Sequence, residues 1–347
     1  MAGNKSTFRS MRTGRRTVLK GVAASALTGV AGVVGAERTA SSAASTTLVT
    51  RPFDDPISVA EINDIRRSQF REHGSNSAFG RDLSAPSGRV VAYVSTVTED
   101  GALKESIGIA NRPRDVGKAH REAEAEHSRL EQADVGTAST SSSDSSWTVE
   151  EEGKVTNYAD PYGNLVDYYD WLQSDDAENG LCYKEQFSMF PGTNEYDSDW
   201  YCDGGEHKEQ WSQSGPTTEI EDWEPLNGTS GSTSESVEVS GTVSTTGGST
   251  SVAYGYTYSS SEIDIDDKAS DQDNYSRFTI NIKADARDDT CSFEPASLGE
   301  FVNGSPGRCV TVTSDATFIQ SGTGDTETIS NIAAYDHPSG DDCSGCQ

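Results

Sequence analysis

The side chains that could do chemistry are five histidines and a large surplus of carboxylates. His120, Glu124 and His127 fall at i, i+4 and i+7, so a helix would line them on one face, a spacing that could hold a metal ion. The spacing is not His-Glu-x-x-His, and Arg121, Glu122, Glu126 and Arg129 surround it, so it reads as a solvated helix face and no metal ligand is assigned. His207 follows Gly204-Gly205-Glu206 near Cys202, but no Gly-x-Ser-x-Gly elbow accompanies it. Glycoside hydrolysis needs two carboxylates roughly 5–9 Å apart. Glu150, Glu151, Glu152, Asp160, Asp167, Asp170, Asp175 and Asp176 offer too many candidates to choose a pair. Asp264, Asp266, Asp267, Asp271 and Asp273 suggest a calcium loop, but the EF-hand pattern fails for want of its glycine and its final glutamate. No catalytic residue and no cofactor is assigned, and the chain reads as leaning away from an enzyme.

Six cysteines, Cys182, Cys202, Cys291, Cys309, Cys343 and Cys346, form an even set, which in an exported chain favours disulfides. Sequential pairing (Cys182–Cys202, Cys291–Cys309, Cys343–Cys346) is the preferred expectation among the possible connectivities. Asn227, Asn274 and Asn303 each begin a glycosylation sequon.

The N-terminus explains why export is expected. Arg15-Arg16 is followed by Val18-Leu19-Lys20 and then by a small-residue apolar stretch from Gly21 to Ala36. This resembles a twin-arginine export signal over residues 1–45, with cleavage after Ala36 or Ala44. Translocation would make the export translocase a transient partner. The stretch is short for a membrane span, so no stable transmembrane segment is expected after processing. The whole chain carries 56 acids against 27 bases, a formal charge of -29. So acidic a chain lacks the clustered bases that nucleic-acid binding requires, and its scarcity of large aliphatics excludes a polytopic membrane protein. Acid-rich, lysine-poor and twin-arginine-exported, the chain resembles secreted proteins of extremely halophilic archaea, which implies an extracellular or cell-surface location and a fold adapted to high salt.

The elements fall into three parts. In 46–135, Ser58 to His73 reads as a helix capped by Ser58, Arg89 to Thr98 as a strand, Glu99-Asp100-Gly101 as a turn into a second strand through Ile107 and Ile109, and Val116 to Asp134 as a second helix. This helix–hairpin–helix unit is expected to be a small accessory domain or a pro-region. Residues 136–146 read as a Ser-rich flexible linker. Residues 147–347 read as an all-β sandwich, supported by disulfides, with an aromatic core drawn from Trp147, Tyr168, Trp171, Trp200, Trp211 and Trp223. The fold class expected overall is α+β.

The clearest local signal lies between Ser234 and Asp266. Val237, Val239 and Val243 alternate with Ser, Glu and Thr, Thr245-Thr246-Gly247-Gly248 is a turn, and Val252, Tyr254, Tyr256 and Tyr258 alternate again. This stretch resembles the glycine-, serine- and tyrosine-rich stem hairpin of leukocidin-type pore-forming toxins, departing from it at Glu235, Glu238 and Glu262. The resemblance implies a hairpin able to enter a membrane as part of a barrel. Three functions follow as expectations. The first is a secreted, salt-adapted, non-catalytic binding or surface protein with an extracellular ligand. The second is a secreted antagonist, halocin-like or pore-forming, released from a pro-region. The third is a secreted hydrolase, built on a concave acid pair or on a pocket around His207.

Overall fold

A computed structural model describes residues 46–73, 80–84, 88–98, 101–132, 146–177, 180–211, 218–225, 230–245, 248–301 and 307–337. The signal segment with Arg15 and Arg16, nearly all of the linker, Asn227, Asn303, Cys343 and Cys346 lie outside the described residues.

The described chain begins with β1 (Thr47–Thr50), α1 (Val59–His73), β2 (Gly80–Ser84), β3 (Arg89–Val97), β4 (Leu103–Ala110) and α2 (Val116–Gln132). Strands β5 (Trp147–Ala159), β6 (Gly163–Ser174), β7 (Gly180–Pro191), β8 (Trp200–Trp211) and β9 (Thr218–Glu224) follow. Next come β10 (Ser230–Thr245), β11 (Gly248–Asp267), β12 (Tyr275–Ile282), β13 (Cys291–Phe293), β14 (Ala296–Phe301), β15 (Gly307–Gln320) and β16 (Thr326–His337).

The two helices and the strand pair expected in 46–135 are present, with β1 and β2 as unexpected additions: Ser58 Oγ accepts the Glu61 N–H at 3.1 Å, and α1 buries Ile62, Arg66, Gln69 and Phe70 at helical spacing. The expected fold class does not hold. β4 runs parallel to β5 from Leu103↔Glu151 to Ala110↔Tyr158, and β2 pairs with β16. The helix–hairpin–helix segment is therefore woven into the same sheet as the rest, and the fold is mostly β, one large and mostly antiparallel sheet, not an α+β unit beside a sandwich. Burial gives the reason. Every residue from Val91 to Val97 is buried, so β3 is covered on both faces, which a lone hairpin with two helices cannot provide.

The main path of the sheet runs β1-β3-β4-β5-β6-β7-β13-β11-β12-β8-β15-β16-β2, with β14 bridging β7 and β9, and β10 attached only to β11. The sheet curls so that β15, β16 and β8 face β5, β6 and β7. Side-chain contacts cross the gap at Asn157–Asn331, Asp167–Asn331 and Glu185–Ser314. The core between them is aromatic, as expected. Trp171 stacks on Tyr335 at 5.3 Å and on Trp211 at 6.0 Å between ring centroids. Trp147 and Trp200 are buried and Trp223 is half-buried, but Tyr168 points outward and is 42 % exposed.

Candidate functional site

Strands β10 and β11 form a hairpin of 16 and 20 residues, the longest in the protein. From Thr233↔Ser260 to Thr245↔Gly248 the register is unbroken, so the two faces separate cleanly. One face pairs Val237 with Tyr256, Val239 with Tyr254, Gly241 with Val252 and Val243 with Thr250. The other pairs Ser236 with Thr257, Glu238 with Gly255, Ser240 with Ala253, Thr242 with Ser251 and Ser244 with Ser249. Period-two sequence thus becomes one Val/Tyr face and one Ser/Thr face, with one acid on each, Glu235 opposite Tyr258 and Glu238 opposite Gly255.

The Val/Tyr face is covered in this structure. Val239, Val243, Val252 and Tyr254 are buried in the same core as Leu298 and Phe293, and Trp147 donates its indole N–H to the Ala253 carbonyl at 2.6 Å. Gly241 permits the closest approach, since a Cβ there would lie 2.6 Å from the Glu221 Cβ and 3.0 Å from Leu298 Cδ2. The seat consists of β9 and β14, whose register shifts between Leu298 and Gly299 and leaves Glu221 as the extra residue of a β-bulge. Among the described residues no strand is hydrogen-bonded to the outer edge of β10. The Ser240 N–H donates to Asp222 Oδ2 and the Ser244 N–H to Glu300 Oε1, each at 2.8 Å, and between them Thr242 donates to Glu221.

The residues that suggested catalysis lie elsewhere and are sealed. His207 is completely buried, its Nδ1 3.2 Å from Glu185 Oε1 and its Nε2 2.9 Å from Glu209 Oε1. Ser314 Oγ and the Tyr183 hydroxyl donate to Glu185, and Ser276 and Ser297 donate to Glu209. Burial alone would lower the His207 pKa, but Glu185 and Glu209 outweigh it and raise it to about 10, so the imidazolium persists at neutral pH. Burial tends to raise Glu185, yet the His207 charge and hydrogen bonds from His207, Tyr183 and Ser314 hold it below the usual carboxylate range. Asp167 lies beside them, and burial followed by the Glu185 charge pushes its pKa well upward. The cavity lined by Asp167, Glu185 and Ser314 is about 10 Å³, room for a single water and for no substrate. This cluster joins the two halves of the sheet and does not form a hydrolase pocket.

A second buried ion cluster escaped sequence reading altogether. Arg66 of α1 reaches Glu151 at 2.5 Å and Glu105 at 3.6 Å, and Tyr169 donates to both acids. Only the alignment of β4 with β5 brings Glu105 and Glu151 together, and nothing in so acidic a sequence distinguishes them from their solvated neighbours.

Other candidates disperse. His120 Nε2 bonds the Arg51 carbonyl at 2.9 Å while His127 turns to Glu131 at 3.5 Å. Asp264 and Asp266 pair with Lys283 and Lys268 at 3.5 Å. Among the described residues no cluster is arranged to hold a metal ion. Cys182, Cys202, Cys291 and Cys309 are buried free thiols, so neither of the first two sequential disulfides is formed. Cys309 lies in a different core cluster from Cys291, whereas burial and a hydrogen-bonding contact with the Cys291 thiol push Cys202 upward. The Asn274 amide nitrogen donates to the carbonyls of Trp211 and Thr218, so a glycan there would cost at least one of these bonds.

No family model matches the chain, and no curated protein sequence matches it. Solved structures to which it is similar include one described as a pore forming protein, at 8% identity and TM-score 0.30, covering 54% of this chain and 87% of that one. They also include Clostridium perfringens delta-toxin, at 7% identity and TM-score 0.32, covering 54% and 92%. A third is the membrane-inserted form of the Clostridium perfringens NetB toxin, at 8% identity and TM-score 0.25, covering 54% and 91%. Similarity this slight settles neither fold nor function. No helix among the described residues is long and apolar enough to cross a membrane, which leaves strands untouched by that test.

Proposed function

We propose that this chain is a secreted pore-forming protein, and that β10 and β11 are the segment that leaves its seat and enters a bilayer. One observation carries the reading: from Val237↔Tyr256 to Val243↔Thr250 the hairpin sorts into a Val/Tyr face and a Ser/Thr face, the Val/Tyr face meeting an acid, Glu235 opposite Tyr258, at its base. A transmembrane β-strand needs about 9–11 residues with lipid-facing and lumen-facing side chains alternating, and both arms exceed that length. Val237, Val239, Val243, Val252, Tyr254 and Tyr256 would face lipid, and Ser240, Thr242, Ser244, Ser249 and Ser251 would line water. A single hairpin cannot close a barrel, so several copies would each contribute two strands. The twin-arginine segment would deliver the protein to the outside, where such an activity acts on another cell's membrane.

The test is dye release from unilamellar phosphatidylglycerol/phosphatidylcholine vesicles, with a reversible lock on the hairpin. A Cβ at Gly180 would lie 3.6 Å from Val243 Cγ2, so the double variant Gly180→Cys, Val243→Cys should tie β10 to β7. Release by the wild type, its loss in the oxidised double variant and its return on reduction are expected. Vesicles that stay sealed with the wild type, or leak equally with the locked variant, would overturn the reading.

A further inference from the structure

Beside the outer edge of β10 stands a row of carboxylates where a neighbouring strand would otherwise be. Ser240, Thr242 and Ser244 point their N–H groups away from β11, and Asp222, Glu221 and Glu300 accept them in turn. Side chains of β9 and β14 thus occupy the hydrogen-bonding row through which β10 would join another strand. These acceptors also repel one another. Glu300 is buried and stands directly opposite Glu219 in the β9–β14 ladder, an unfavourable cross-strand pairing of like charges. Asp222 and Glu221 are consecutive, and the bulge brings both to the hairpin. The charges of Glu209 on β8 and Glu224 on β9 reach Tyr256 of the hairpin. Lys184 on β7 supplies a cation, but its ammonium sits over the Tyr256 ring at 5.6 Å.

We propose that Glu221, Asp222 and Glu300 form an electrostatic latch that holds the hairpin edge at high ionic strength and loosens when ionic strength falls. It deepens the pore-forming reading by supplying a trigger, and rests on that reading only for its purpose. Two opposed effects meet at each carboxylate: the N–H bond holds the hairpin, and seating the hairpin takes water from acids of β9 and β14 that repel one another. Salt screens the charges of exposed Glu219 and half-buried Glu221 and Asp222 more than it weakens a hydrogen bond in contact, so dilution tips the balance toward release. Burial first, and the Glu300, Glu219 and Asp222 charges against the opposing Thr242 N–H, raise the Glu221 pKa above its ordinary value, as expected where like charges crowd.

The experiment is hydrogen exchange of the full soluble chain, followed by mass spectrometry, with no membrane present. Between about 1 M and about 0.05 M salt, exchange across β10 and β11 should accelerate roughly tenfold, while β5 and β6 change much less. The variant Glu221→Gln, Asp222→Asn, Glu300→Gln keeps an acceptor at each position and removes the charge, and should exchange slowly at both salts. Hairpin exchange independent of salt in the wild type would overturn the latch. So would a neutral variant that exchanges faster than the wild type at low salt, or loosening shared equally by β5 and β6. Because vesicle leakage is not read here, failure of the latch and failure of the pore-forming reading are separate results.

Discussion

Stability should fall as pH rises through the alkaline range, with His207 as the principal cause. Its pKa moves from 6.5 to about 10 in the folded chain, so the native state holds a proton that the unfolded chain releases. A rise of that size corresponds to about 5 kcal/mol of stability at 1.36 kcal/mol per pKa unit. Solvent does not screen it, because His207, Glu185 and Glu209 have side chains that are 0%, 2% and 0% exposed. The same energy cannot be counted again for Glu185, whose low pKa expresses the same attraction. A group with a raised pKa stabilises fully below its unfolded value, so the contribution is complete below pH 6.5 and is lost as pH climbs through about 10. Asp167, also raised, adds the same sign at lower pH. Urea unfolding at fixed molar salt, from pH 6 to pH 10, measures this directly. The variant His207→Gln should lose about 3–5 kcal/mol at pH 6, because two buried carboxylates lose their cation, and its stability should then vary much less with pH. A wild-type curve flat between pH 6.5 and 10, or a variant that keeps the wild-type slope, would refute the assignment of the bound proton to this imidazole.

Two further outcomes test the scaffold and the seat. Arg66→Met should cost about 3–5 kcal/mol in urea unfolding by leaving Glu105 and Glu151 buried without their cation, and adding Glu105→Gln and Glu151→Gln should recover much of that loss. Gly241→Ala should wedge the hairpin away from Glu221 and Leu298 at a cost of about 1–3 kcal/mol. Hydrogen exchange should show that loss concentrated in β10 and β11, and uniform loosening of the sheet would contradict the close seat at Gly241.

The parts legible from sequence alone were those governed by neighbours along the chain. Helix α1 begins where Ser58 can cap it, and α2 follows its expected span to within two residues. The β10–β11 hairpin was readable in both arms, because period-two alternation of Val and Tyr with Ser and Thr leaves little else for the backbone to do. An aromatic core was legible too, since so few large aliphatics leave rings to fill the interior.

Contacts between distant segments were not legible, and these decided the fold class and the chemistry. Nothing local announces that β4 will lie parallel to β5 or that β2 will close on β16, because sheet pairing depends on which edges remain open once everything else has folded. That pairing turned an apparent accessory unit into part of one sheet. Among dozens of carboxylates, only tertiary structure selected the few that matter. It buried Glu185 and Glu209 around His207 and paired Glu105 and Glu151 with Arg66. A bulge in β9 set Glu221 and Asp222 against the edge of β10. An acid's role is set by its dielectric and its partners, and in a chain this acidic both come from residues far away in sequence.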